Sequence, residues 1–206
     1  SAITAGSLLT GVLSLGSSAS IVSTLTDSAG NVWLIGRREQ STAGTSARID
    51  LWYARNAVGS TNTVTVTLDS TTAGTHQFGF HEWSGASTES DVLTAVNSTR
   101  AASSLHGTGG GLTASSLGLV IAAWRSLTKY SSGVTPTTYS TLAPGISTSF
   151  TETFYKVMGV TSSAEDPIWQ VGASTIAHGL IVTFKASTNA VMPSQGCWTF
   201  SLMGVQ

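Results

Sequence analysis

From Asn62 to Leu68 the chain places Val64, Val66 and Leu68 on one side and Thr63, Thr65 and Thr67 on the other. Strict alternation of this kind marks a half-buried strand, because successive side chains of a strand point to opposite faces. The pattern recurs. In the segment 48–54, Ile49, Leu51 and Tyr53 share a face opposite Trp52, and in 76–83 Phe78 and Phe80 oppose His81 and Trp83. Segments 150–158 and 179–185 alternate again. The run from Leu117 to Trp124 is continuously apolar, which predicts a strand in the middle of a sheet with both faces covered.

Turn residues separate these runs: Asp27-Ser28-Ala29-Gly30-Asn31, Thr42-Ala43-Gly44, Asn56 with Gly59, Ser84-Gly85, Gly107 to Gly111 and Pro144-Gly145. No stretch of ten residues combines helical periodicity with caps, and no repeat of fixed period occurs. The expected fold is all-β: an antiparallel β-sandwich, jelly-roll-like, with a C-terminal strand-like arm. Residues 1–186 form the sandwich in this reading. Residues 187–206 form a linker and an arm whose Trp198, Phe200 and Leu202 alternate onto one face. Each costs about 1.5–3 kcal/mol to leave in water, so the arm must fold back or add to a neighbour's sheet edge, and these three are the candidate partner-binding residues.

Composition narrows the function. Charged residues make up 9% of the 206 residues, against roughly 25% in an average soluble domain. Ser and Thr, roughly three residues in ten, take their place. Thr is β-branched and fits a pleated surface, so a Thr-rich coat keeps a sheet polar without charge. A net charge of −1 gives little mutual repulsion and favours association. Nine scattered basic residues make no footprint for nucleic acid. The single cysteine, Cys197, excludes an internal disulfide and a cysteine-based zinc site. No apolar run is long enough to span a bilayer as a helix, and Ser7 to Leu15 reads as a strand rather than a signal segment.

Four segments stand in order: Asp27 to Trp33 (DSAGNVW), Leu51 to Asn56 (LWYARN), Thr63 to Thr67 (TVTVT) and His81 to Gly85 (HEWSG). Together with Leu180 to Ala186 (LIVTFKA), this series resembles a Ser/Thr/Gly-rich β-sandwich domain of bacterial secreted and cell-surface proteins and phage structural proteins. The resemblance covers about residues 5–186. It implies a module of a surface assembly rather than an enzyme, located on a virion or outside the cell. The sequence departs from that pattern in standing alone and in carrying the 187–206 tail.

The candidates for chemistry fall short one by one. His81 and Glu82 point to opposite faces of a strand. The glycines after His106 resemble an oxyanion loop, but no G-x-S-x-G nucleophile elbow accompanies them. No strand carries two carboxylates on one face, as glycosidase chemistry would need. Asp27 with Asn31 offers a partial oxygen shell for Ca²⁺, and an Asx-turn accounts for the same residues. No catalytic residue, cofactor or resident metal is expected.

The expected function is therefore non-enzymatic. The chain reads as a structural subunit that self-assembles or decorates a capsid or filament, exchanging the 187–206 arm or the N-terminal strand from Ile3 to Leu15. The second reading is a carbohydrate-binding surface module. Its best candidate is Trp52, on the face opposite Ile49, Leu51 and Tyr53, chosen from Trp33, Trp52, Trp83, Trp124 and Trp169.

Overall fold

The computed structural model describes residues 2–16, 21–40, 48–60, 62–69, 76–85, 92–97, 103–107, 112–114, 118–126, 138–142, 151–159, 163–175, 177–186 and 195–198. Every described element is a strand, and every strand pair is antiparallel.

One five-stranded sheet contains β1 (Leu8–Leu15), β3 (Leu34–Gln40), β4 (Arg48–Ala54), β6 (Gln77–Trp83) and β16 (Gln195–Trp198), in the order β16-β6-β1-β4-β3. The second contains β7 (Val92–Asn97), β10 (Leu119–Ser126), β11 (Ser140–Thr141), β12 (Thr151–Val157) and β15 (Ala177–Phe184), in the order β11-β12-β10-β15-β7. Three two-stranded ladders complete the described fold. They pair β2 (Val22–Asp27) with β5 (Val64–Leu68), β8 (Ser103–Gly107) with β14 (Ile168–Thr175), and β9 (Leu112–Ala114) with β13 (Ser163–Glu165).

The two large sheets stack face to face. Leu8, Val12, Ile49, Leu51, Tyr53 and Trp83 of the first meet Leu119, Ile121, Ala123, Leu180, Val182 and Phe184 of the second. The predicted face of β4 is thus the inner one, and its opposite face carries Trp52. Neither sheet leaves its other face open, however. Leu9, Leu13, Trp52, Ala54 and Phe80 pack under Val22, Leu25, Val64, Val66 and Leu68 of the β2–β5 ladder. On the far side, Val120, Ala122, Trp124 and Ile181 pack with Phe154, Met158 and Trp169.

This layering explains why β1, β4, β10 and β15 are buried at every residue. The continuous apolar run of β10 does occupy the middle of a sheet, with β12 and β15 on either side. The Thr coat lies one layer further out than alternation alone suggests. On β5, Thr65 and Thr67 face solvent while Val64, Val66 and Leu68 face the first sheet.

The N-terminal strand is central in its sheet. It is hydrogen-bonded to β4 along one side and to β6 along the other. An exchange of this strand between subunits would have to open two ladders at once.

Candidate functional site

Asp27 ends β2, and its carboxylate is the hub of a clasp. Oδ1 accepts the backbone N–H of Asn31 (2.9 Å). Oδ2 accepts Asn31 Nδ2 (2.9 Å), Trp33 Nε1 (2.8 Å) and Asn62 Nδ2 (3.0 Å). Asn31 Oδ1 in turn accepts the backbone N–H of Val58 (2.7 Å). Gly30 closes the turn at φ 78°, a left-handed conformation open to glycine at no steric cost. Asn56 takes φ 54° in the facing loop, the second position where turn chemistry is met. Burial works to raise the Asp27 pKa, but the hydrogen bonds from Asn62, Asn31 and Trp33 outweigh it and hold the carboxyl below its ordinary value.

The Ca²⁺ reading of Asp27 and Asn31 is therefore corrected. A cation needs oxygen lone pairs, and here both carboxylate oxygens and the Asn31 amide oxygen already accept N–H donors. Among the described residues no group of three or more His, Cys, Asp or Glu side chains could hold a metal.

The His81 to Gly85 motif is also absorbed into scaffolding. Glu82 Oε1 accepts the Thr4 backbone N–H (2.7 Å) and the Ser7 hydroxyl (2.8 Å), fixing the entry to β1. Trp83 faces the inner core, donates Nε1–H to Thr10 Oγ1 (2.8 Å) and packs on Tyr155, with ring centroids 5.3 Å apart. His81 and Glu82 point to opposite faces and share no site. His81 is 5% exposed, and neither ring nitrogen has a hydrogen-bond partner. Desolvation alone pulls its pKa down to about 4, so the ring sits neutral in the core.

Trp52 is the second correction. It is 6% exposed and packed under the β2–β5 ladder, so it presents no ring face to a sugar. Trp33, Trp83, Trp124 and Trp169 are buried as well. Alternation correctly placed Trp52 opposite the inner face but could not reveal that a further ladder covers it.

Two polar groupings were missed at the sequence level. Tyr139 O–H donates to Glu165 Oε2 (2.7 Å), while Lys156 Nζ pairs with Glu165 Oε1 (2.7 Å). Burial, reinforced by the Glu165 carboxylate, pushes the Tyr139 pKa well above the phenol range. The group is a tether with a firmly protonated phenol, not a nucleophile. The other grouping joins the sheets: Ser14 of β1 meets Thr151 of β12 (Oγ to Oγ1, 2.7 Å), and Arg125 of β10 donates to both. The available signal was a charge closing the apolar run of β10.

What remains for function lies at the rims of the first sheet. Along β6 the outer edge is closed by β16, with Cys197 in register with His81 and Trp198 with Phe80. The expected partner-binding residues Phe200 and Leu202 lie outside the described residues. The opposite rim is β3, where Leu34 is 38% and Ile35 44% exposed. Its register against β4 shifts between Ile35 and Arg37. Arg38 anchors it through Nε to both Asp50 oxygens (3.1 and 3.0 Å) and through Nη2 to the Val22 carbonyl (3.1 Å).

Comparison with known proteins finds no matching family model, no curated relative and no matching solved structure.

Proposed function

We propose that the chain is a non-enzymatic structural subunit that assembles with copies of itself, or onto a capsid or filament, by exchanging its C-terminal strand. The virion or extracellular setting follows from the resemblance of the ordered turn-and-strand motifs to surface-assembly modules. Within the described residues, those motifs serve internal ties: Asp27, Asn31, Trp33, Glu82 and Trp83 each hold one part of the chain to another.

The observation that carries the reading is the pairing of β16 with β6. Four residues near the end of the chain complete one edge of a main sheet, and residues 187–194 separate them from the rest of the fold. A strand added at this edge satisfies the same backbone donors and acceptors whether it comes from its own chain or from a neighbour. Exchange therefore leaves the ladder unchanged and links subunits.

A single engineered thiol tests this. The lone cysteine, Cys197, is the register partner of His81, and Cα partners on antiparallel strands lie within disulfide range. In His81→Cys, oxidation should give covalent dimers and longer species on a non-reducing gel. Truncation after Ala186 should abolish assembly measured by light scattering. A cross-link confined to the monomer, with an oligomer unchanged by truncation, overturns the proposal.

A further inference from the structure

Arg125 lies on the inner face of β10, 8% exposed, at one end of the space between the two large sheets. Its Nη1 donates to Ser14 Oγ and to Thr151 Oγ1 (3.3 Å), two neutral oxygens that are themselves fully buried and bonded to each other. Its Nε is buried without a partner. On the neighbouring strand, two residues beyond Thr151 and on the same face, the Thr153 hydroxyl is likewise buried without a partner. Two unused donors thus sit at the same end of the inter-sheet space.

No carboxylate neutralises this guanidinium among the described residues. Glu39 on the inner face of β3 pairs with Arg37 (3.9 Å), and Asp50 is held by Arg38 on the other face of β4. Glu152 follows Thr151 but is in register with Trp124, whose side chain belongs to the outer cluster, so it points away. Glu165 is held by Lys156 and Tyr139. His178, the register partner of Arg125 on β15, is fully buried and adds no negative charge. A guanidinium does not discard its proton at any physiological pH, even where burial lowers its pKa. Hydroxyl dipoles satisfy hydrogen bonds without cancelling the charge, and a buried charge without a counter-charge is strongly unfavourable.

From this geometry we infer that Arg125, with Ser14, Thr151 and Thr153, forms a binding site for a small inorganic anion of halide size. The four side chains come from β1, β10 and β12 and are each more than nine-tenths buried, which favours a small solute over a polypeptide segment. A monatomic anion accepts donors from several directions at once, which suits one guanidinium edge and the hydroxyls beside it. The anion would act as a structural counter-ion bridging β1, β10 and β12. This inference is independent of how the subunits assemble.

The test uses the full chain. Thermal unfolding is followed at constant sodium while gluconate is replaced by chloride or bromide. The expected result is a saturable rise in Tm with either halide, absent in Arg125→Met. Crystals grown in bromide should show an anomalous peak within hydrogen-bond distance of the guanidinium, a readout that stands even if Arg125→Met fails to fold. Coincident halide and gluconate curves overturn the inference. So does a crystal in which ordered water alone, or the carboxylate of Glu89 or Asp91, faces Arg125.

Discussion

The two rims of the first sheet solve the same problem in opposite ways. Any edge strand presents unpaired N–H and C=O groups that invite another chain. The β3 rim is blunted in place: its register shifts at Gly36, and Arg37, Arg38 and Glu39 put charge along it. A shifted register and charged side chains are two of the devices by which proteins discourage edge-to-edge pairing. The β6 rim has no such device. Its register is unbroken, its one charged residue, Glu82, is taken up by Thr4 and Ser7, and the edge carries β16 instead. The difference teaches that exposed apolar side chains do not mark the edge that carries a further strand. The β3 rim shows Leu34 and Ile35 to solvent, yet the β6 rim is the one that takes an added strand.

The comparison can be broken or sharpened by experiment. The largest effect is expected from acid at the β6 rim. The folded-state pKa of His81 lies near 4, below the ordinary 6.5. The folded ring therefore stays neutral while the unfolded ring takes up a proton. Its contribution is complete above pH 6.5 and is lost as pH falls towards 4, amounting to about 3 kcal/mol. Denaturant titrations at pH 7 and pH 4 should show that loss, and His81→Leu should remove most of it. An equal pH slope in the variant would place the acid sensitivity elsewhere.

Next in size is Gly11→Val on β1. A Cβ there would stand 2.5 Å from Phe80 Cε1, so the ring that anchors the outer face of β6 must move. Overpacking of this kind costs about 1–3 kcal/mol, measurable as a lower denaturant midpoint. Asp27→Ala should cost about 1–3 kcal/mol, since it strands the Trp33 and Asn62 donors and loosens the ladder covering Trp52. Asp27 also adds an acid limb: its lowered pKa gives stability that is present above the ordinary carboxylate value and lost as pH falls through the folded one. The smallest effect belongs to the β3 rim. Ile35→Lys should change stability by less than about 0.5 kcal/mol and leave the oligomer seen by light scattering intact. Loss of assembly in that variant would move the partner surface from the β6 rim to β3.

Much of the fold was legible because strand alternation is local. Thr63 to Leu68 and Arg48 to Ala54 each announce their faces within a few residues, the unbroken apolar run to Trp124 announces a strand buried on both, and Asn56, Gly30 and Gly85 mark turns through the backbone they tolerate. The candidate sites were less legible. Asp27 and Asn31 offered oxygens that suit a cation equally well on paper, and only Asn62 and Val58, brought in from a distant loop, show those oxygens to be occupied. Arg125 gave no sign of its isolation, because the absence of a counter-charge is a property of every strand packed around it.

By itself, then, the sequence determined an all-β chain with little charge, strands whose faces are set by a period of two, and turns at identifiable residues. These are consequences of backbone geometry and of side-chain branching, which act over a few residues. Only the tertiary structure decided that the first sheet too is covered on both faces, that Trp52 is core and that β1 lies at the centre of its sheet. It also decided that Gln195–Trp198 pairs along β6. Those outcomes depend on which apolar faces meet across the fold, and alternation assigns each residue a side without naming what lies against it.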